Sequence, residues 1–217
     1  MGMNFIRFLS NHRQEVLTLT GEHLWLVAAS MFLAVVIGVP LGILLTRRPK
    51  WTPAVLGFNN VMQTVPSLAL FGLLMPVPWL GLRAGRLAIV ALTLYALLPV
   101  VRNTYTGITG VDPGVRYAAN AMGLTSAQLL WRVELPLSGP VIIAGIRVAT
   151  VIAVGVATIA AAVGAGGLGE FIFRGLSMVD NNVILAGAIP AALLALLADA
   201  ALGGLQRVLL RHRHGRQ

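Results

Sequence analysis

The 217-residue chain is 57% hydrophobic, has a mean hydropathy of +0.84 and carries only 11% charged residues. Soluble domains carry about 25% charged residues, so this chain has too few charges to cover a soluble fold and is expected to be embedded in a bilayer. The formal charge of +9 does not point to nucleic acid, because the basic residues flank apolar stretches rather than forming one patch. With no cysteine, disulfides and thiol chemistry are excluded.

Residues 1–20 mix Arg7, Asn11, His12, Arg13 and Glu15 and read as an N-terminal segment without the apolar core of a cleavable signal peptide. A membrane domain is expected over 21–210, followed by a basic tail at 211–217. A spanning helix needs about 20 mostly apolar residues. Five stretches qualify, at about His23–Thr46, Ala54–Met75, Leu87–Ile108, Pro140–Val163 and Val183–Leu210. The fold expected is therefore an all-α polytopic helix bundle of about five spans. Ala and Gly are frequent in them, which lets membrane helices approach closely.

The second span is interrupted at Gln63-Thr64-Val65-Pro66-Ser67. Two readings stay open there: a kink whose freed backbone is satisfied by Ser and Thr, or a bend that lines a pathway through Gln63, Pro66 and Ser67.

Between the third and fourth spans lies a loop, about 109–139, with unusual local structure. Asp112 supplies an N-cap and Pro113 the first helical position, and the helix runs to Met122. Gly123 offers the left-handed conformation that ends helices. Thr125 and Gln128 then have capping-box spacing for a second short helix, which Pro136 is expected to stop. Leu129, Leu130 and Val133 form one apolar stripe, and the charges of Asp112, Arg116, Arg132 and Glu134 cancel. A DNA-reading helix–turn–helix does not fit, since the element has no net positive charge to meet phosphates.

Gly164-Ala165-Gly166-Gly167-Leu168-Gly169-Glu170 has neither the preceding strand nor the Lys-Ser/Thr of a phosphate loop. It reads as a flexible turn or gate hinge at Gly166, Gly167 and Gly169, ahead of a short helix at Phe171–Leu176. Arg147 and Asp199 stand out within spans four and five, each about 13 Å from its span end at the helical rise. An unpaired charge at that depth is costly, so a mutual pair is expected, the alternative being an Asp199 that lines water or is partly protonated. His12, His23, His212 and His214 have no metal-ligand pattern and read as solvated or interfacial. Neither a catalytic constellation nor a metal site is expected.

Orientation follows from Lys and Arg. Placing the 46–53 loop, the 109–139 loop and the tail inside puts eight basic residues there, against five (Arg7, Arg13, Arg83, Arg86, Arg174) on the other side. The N-terminus is then outside and the C-terminus in the cytoplasm. Trp25, Trp51, Trp79 and Trp131 fall at or beyond span ends, as interfacial aromatics do.

The spacing Ala118-Ala119, Gly123, Val133-Glu134-Leu135-Pro136 resembles the cytoplasmic loop signature of ABC importer permeases; Tyr117 stands where that family commonly has glutamate. MQTVPSLALFGLL (62–74), ALLPVVRNTYTGITGVDP (96–113), RVELPLSGPVIIAGIR (132–147) and GAGGLGEFIFRGL (164–176) narrow the resemblance to the osmoprotectant type, over about residues 20 to 205. It implies a type I importer fold in a bacterial inner membrane, importing glycine betaine, choline, carnitine or related quaternary amines. The partners implied are ABC ATPase subunits, a second permease copy or homologue, membrane lipid and a separate extracytoplasmic substrate-binding protein, with no nucleic acid. The chain itself is then neither an enzyme nor a cofactor binder, ATP and Mg being held by the ATPase. In such a permease the loop is a coupling helix gripped by the ATPase, through Tyr117, Ala118, Ala119, Gly123, Leu129, Leu130, Glu134 and Pro136. A methionine-type permease is the alternative within the superfamily. A secondary transporter is disfavoured because Asp199 is the only carboxylate well inside a span.

Overall fold

The computed structural model describes the backbone of residues 2–214 and the side chains of residues 7–210. Eleven α-helices follow one another among the described residues: α1 (Gly2–Asn11), α2 (Arg13–Arg47), α3 (Thr52–Thr64), α4 (Ser67–Leu74), α5 (Pro78–Gly81), α6 (Ala84–Thr109), α7 (Pro113–Ala121), α8 (Ser126–Leu129), α9 (Leu135–Ala160), α10 (Gly169–Met178) and α11 (Asn181–His214). A π-helical segment, Leu130–Glu134, joins α8 to α9.

Four of these stretches are long and apolar enough to cross a membrane: Arg13–Arg47, Ala84–Thr109, Ser126–Val163 and Asn181–Leu210. The stretch expected as the second span is broken instead. α3 has 13 residues and α4 has 8, about 20 Å and 12 Å at the helical rise, so neither alone crosses a hydrocarbon core of about 30 Å. The break has a local cause. Proline pushes its predecessor out of the α region, and Val65 is extended at φ −66°, ψ 127°.

Two further boundaries differ from the expectation. α2 starts at Arg13 and runs unbroken through position 20, so the last eight residues of the N-terminal segment belong to the helix of the first span, after the separate helix α1. Pro136 does not stop a helix. The π-helical turn shifts the hydrogen-bond register, and Pro136 falls in the first turn of α9, where its missing N–H costs little. The continuous helical stretch that contains the fourth span consequently begins at Ser126, fourteen residues before Pro140.

α6 lies at the centre, packed against α2 on one side and α9 on the other, with α11 across α9. In lipid, apolar side chains gain little by leaving one oily phase for another, so helix association depends on close packing. Small residues provide it: Ala88, Ala91 and Ala96 of α6 and Ala149, Ala153 and Ala157 of α9 are fully buried in one core with Phe71 of α4. Between α2 and α6 the approach is equally close. A side chain at Gly42 would overlap Thr104.

Candidate coupling element and translocation pathway

One end of the bundle carries α7 and α8. The capping chemistry expected at both helix starts is present. Asp112 Oδ1 accepts from the Gly114 amide at 2.6 Å with Pro113 in the first turn. Thr125 and Gln128 cap each other reciprocally, at 2.9 Å from the Thr125 amide and 3.3 Å from the Gln128 amide. Between them Gly123 sits at φ +80°, the left-handed conformation that favours glycine.

Side-chain placement sorts the residues singled out in this loop into two sets. Tyr117 (78% exposed), Ala118, Gly123 and Pro136 face out, and Leu130 is half-buried. Ala119, Leu129 and Glu134 face in, at 2%, 7% and 1% exposure. In the single chain these three pack against its own bundle, whereas the first set is open to a partner. The outward apolar surface is completed instead by Val115, Met122 and Trp131. No local sequence signal distinguishes Leu129 from Trp131, because the π-helical segment rotates the register that the 3.6-residue period assumes.

Glu134 is the hub of the inward set. Arg47 Nη2, at the end of α2, donates to its Oε2 at 2.5 Å, and Arg116 Nε of α7 lies 3.3 Å from Oε1 as a charge contact rather than an aligned hydrogen bond. Arg116 also donates through Nη2 to the Ile108 carbonyl near the end of α6. In the sequence Arg116 and Glu134 read as charges that cancel within the loop, Glu134 also as a coupling contact, and Arg47 as an inner-side anchor; nothing there joins the three.

Beside the break between α3 and α4 lies a cleft of about 380 Å³, lined by Gln63, Thr64, Val65, Pro66 and Ser67 with Tyr95, Ile152 and Val156. The break is bracketed from α6: the Tyr95 hydroxyl donates to the Val65 carbonyl, and Gln63 Nε2 donates to the Tyr95 carbonyl at 3.0 Å. The backbone freed by Pro66 thus faces an open, partly polar cleft, which is where membrane proteins tolerate irregular backbone. Tyr95 reads in sequence as one more aromatic in a span.

At the opposite end of the bundle, Gly164, Gly166 and Gly167 all have φ near +80°. This turn is packed rather than free. Glu22 of α2 accepts from the Gly167 amide at 3.0 Å, and Gly167 lies against His23. Gly169 opens α10 (longer than the expected Phe171–Leu176) against the Thr158 carbonyl, with no room for a side chain. His23 is therefore corrected from interfacial to fully buried. His12 is half-buried and stacks on Phe8 at 4.1 Å; the side chains of His212 and His214 lie outside the described residues. All four tryptophans are more than half exposed.

In the spans, Arg147 of α9 and Asp199 of α11 form a bidentate ion pair, with Nη2 to Oδ2 at 2.6 Å. A third charge, Arg102 of α6, is exposed along that helix. It was missed because apolar composition hid a single arginine inside the stretch Leu87–Ile108.

Three comparisons bear on this arrangement. The chain is 45% identical over 202 residues, 93% of its length and 91% of the other, to the carnitine transport permease protein OpuCB of Listeria monocytogenes. It is 42% identical over 201 residues, 92% of its length and 91% of the other, to the glycine betaine/carnitine/choline transport system permease protein OpuCB of Bacillus subtilis (strain 168). Among solved structures it is similar to an inward-facing MetNI methionine ABC transporter, with TM-score 0.80 and 26% identity, over 89% of this chain and 96% of that one. Together with a family match over residues 38–214, this places the chain in the family of binding-protein-dependent transport system inner membrane components, as a multi-pass membrane permease.

Proposed function

We propose that this permease is the membrane subunit of an ATP-driven importer of quaternary-amine osmoprotectants, of the glycine betaine, choline and carnitine class. The substrate class rests on one observation: relatives that match nine-tenths of the chain at 42–45% identity carry those names. The methionine alternative has a fold likeness at 26% identity behind it, and fold alone does not fix substrate.

The mechanism follows from rigidity. A soluble ATPase that binds and hydrolyses ATP with Mg can move spanning helices only through an element that does not yield. α7 and α8, each capped by its own side chains and running into α9 through the π-helical segment, are such a lever. Tyr117, Ala118, Met122 and Trp131 are the surface the ATPase grips. Motion of this lever tilts α9 against α6 and opens or closes the cleft at Gln63, Pro66 and Ser67. The glycine turn at 164–169 closes the other end. In this reading α7 is cytoplasmic, the N-terminus is outside, and the pathway is completed by a second permease copy or homologue. Selection falls to an external binding protein. Aromatic cages recognise quaternary ammonium, and the tryptophans here are interfacial.

Two measurements test the proposal. Affinity capture of the native chain retains an ABC ATPase, and Leu130→Asp or Gly123→Pro abolishes that capture. Cells expressing the full transporter take up labelled glycine betaine and not labelled methionine. Methionine uptake in its place would reverse the substrate assignment.

A further inference from the structure

Three helix ends meet at one carboxylate. Glu134, 1% exposed, receives Arg47 from the last turn of α2 and Arg116 from α7, and Arg116 in turn holds the Ile108 carbonyl of α6. Glu134 itself belongs to the π-helical segment that continues into α9. The cluster therefore links α2, α6, α7 and α9 in one place. α7 has little other hold on the bundle, since Ala119 is the only buried residue among its nine. With so little buried apolar surface on α7, the Arg116 contacts are a direct side-chain link from it to the neighbouring helix ends. A carboxylate this buried is costly to strip of its partners, so displacing one arginine throws the pairing onto the other.

We infer that Glu134 is a positioning residue of energy coupling: its ion pairs with Arg47 and Arg116 carry displacement of α7 into the end of α2. The inference rests on the reading of α7–α8 as the ATPase-docking lever. Arg47 closes the circuit to α2, since it stands in the last turn of that helix. A role in folding alone would show as loss of the protein from the membrane. A role in coupling shows as futile ATP hydrolysis in a complex that still assembles.

The experiment uses the complete transporter, with its ATPase and binding protein, in proteoliposomes. Uptake and ATP hydrolysis are measured together for Glu134→Gln, Arg47→Gln, the double variant and Arg48→Gln. Arg48 is the adjacent exposed arginine, and the ion pairs of Glu134 go to Arg47 and Arg116 instead. The expected result is that Glu134→Gln and Arg47→Gln both retain the ATPase but lower uptake per ATP by about fivefold or more, the range of a coupling free energy. The double variant is no worse than Glu134→Gln alone, as for two residues acting through one contact, and Arg48→Gln is unchanged. Because Arg47 is 40% exposed, Arg47→Gln keeps the test sharp even where Glu134→Gln fails to accumulate. Uptake per ATP unchanged in Arg47→Gln, or losses that multiply in the double variant, would overturn the inference and leave the docking reading standing. Failure of the unaltered chain to retain any ATPase would overturn both.

Discussion

Arg147 and Asp199 meet through both carboxylate oxygens, binding α9 to α11 at membrane depth. Gly203, one turn beyond Asp199, leaves space for the guanidinium: a Cβ there would lie 3.1 Å from Arg147 Nη1. An arginine stranded in hydrocarbon is strongly disfavoured. Asp199→Asn is therefore expected to lower the amount of permease in the membrane, as quantified by immunoblotting. The charge swap Arg147→Asp with Asp199→Arg is expected to recover part of that loss. A swap no better than Asp199→Asn counts against the pair as the reason for either residue.

The bracket at the broken span makes a smaller prediction. Tyr95→Phe removes the hydroxyl that serves the Val65 carbonyl and preserves ring packing. A single hydrogen bond contributes about 1 kcal/mol, so thermal stability in detergent falls slightly while uptake falls further. Gln63→Leu, which removes the second half of the bracket, acts in the same direction. Uptake unchanged in both variants would separate this cleft from the pathway.

The glycine turn gives an ordered series. Gly164, Gly166 and Gly167 share a positive φ, but only Gly164 has open space around its missing Cβ. Gly164→Ala pays only the left-handed conformation, about 1 kcal/mol. Gly167→Ala adds a crowded contact with His23, and Gly169→Ala drives a methyl into the Thr158 carbonyl. Melting of the purified variants is expected to rank 164 mildest, 167 intermediate and 169 most damaging. Equal effects would mean that the turn is not packed on α2 and α9.

On the coupling element, outward and inward positions separate by phenotype. Met122→Asp places a charge on a side chain that is 74% exposed; stability changes by less than about 0.5 kcal/mol, while ATPase capture is lost. Leu129→Asp buries a charge without a partner at a position 7% exposed, and is expected to cost more than about 3 kcal/mol and deplete the protein. A Met122→Asp chain that still captures the ATPase would move the docking surface elsewhere.

What could be read from sequence divides by the range of the interaction. Asp112-Pro113 and the Thr125–Gln128 box are legible because donor and acceptor lie within three residues. The Arg147–Asp199 pair was legible for a different reason: two isolated opposite charges at equal depth have few other ways to be satisfied. Arg47 with Glu134 is 87 residues apart and Glu22 with Gly167 is 145 apart. Nothing local marks either one. The sequence reads His23 as solvated or interfacial because it stands at the very start of the expected first span, whereas the glycine turn folds back over it. Pro136 was misjudged because proline reads as a stop unless a π-helical turn precedes it, and that turn leaves no simple signature in the residues Leu130–Glu134.

The absence of native cysteine permits a direct test of which side the lever occupies. Single cysteines at Ala127, exposed on α8, and at Val179, 88% exposed at the far end of α10, are treated with a membrane-impermeant maleimide in intact cells and again after permeabilisation. The account predicts labelling of Val179→Cys in intact cells, and of Ala127→Cys only once the membrane is opened. Labelling of Ala127→Cys in intact cells would put α7 and α8 beyond the reach of any cytoplasmic ATPase and contradict the account.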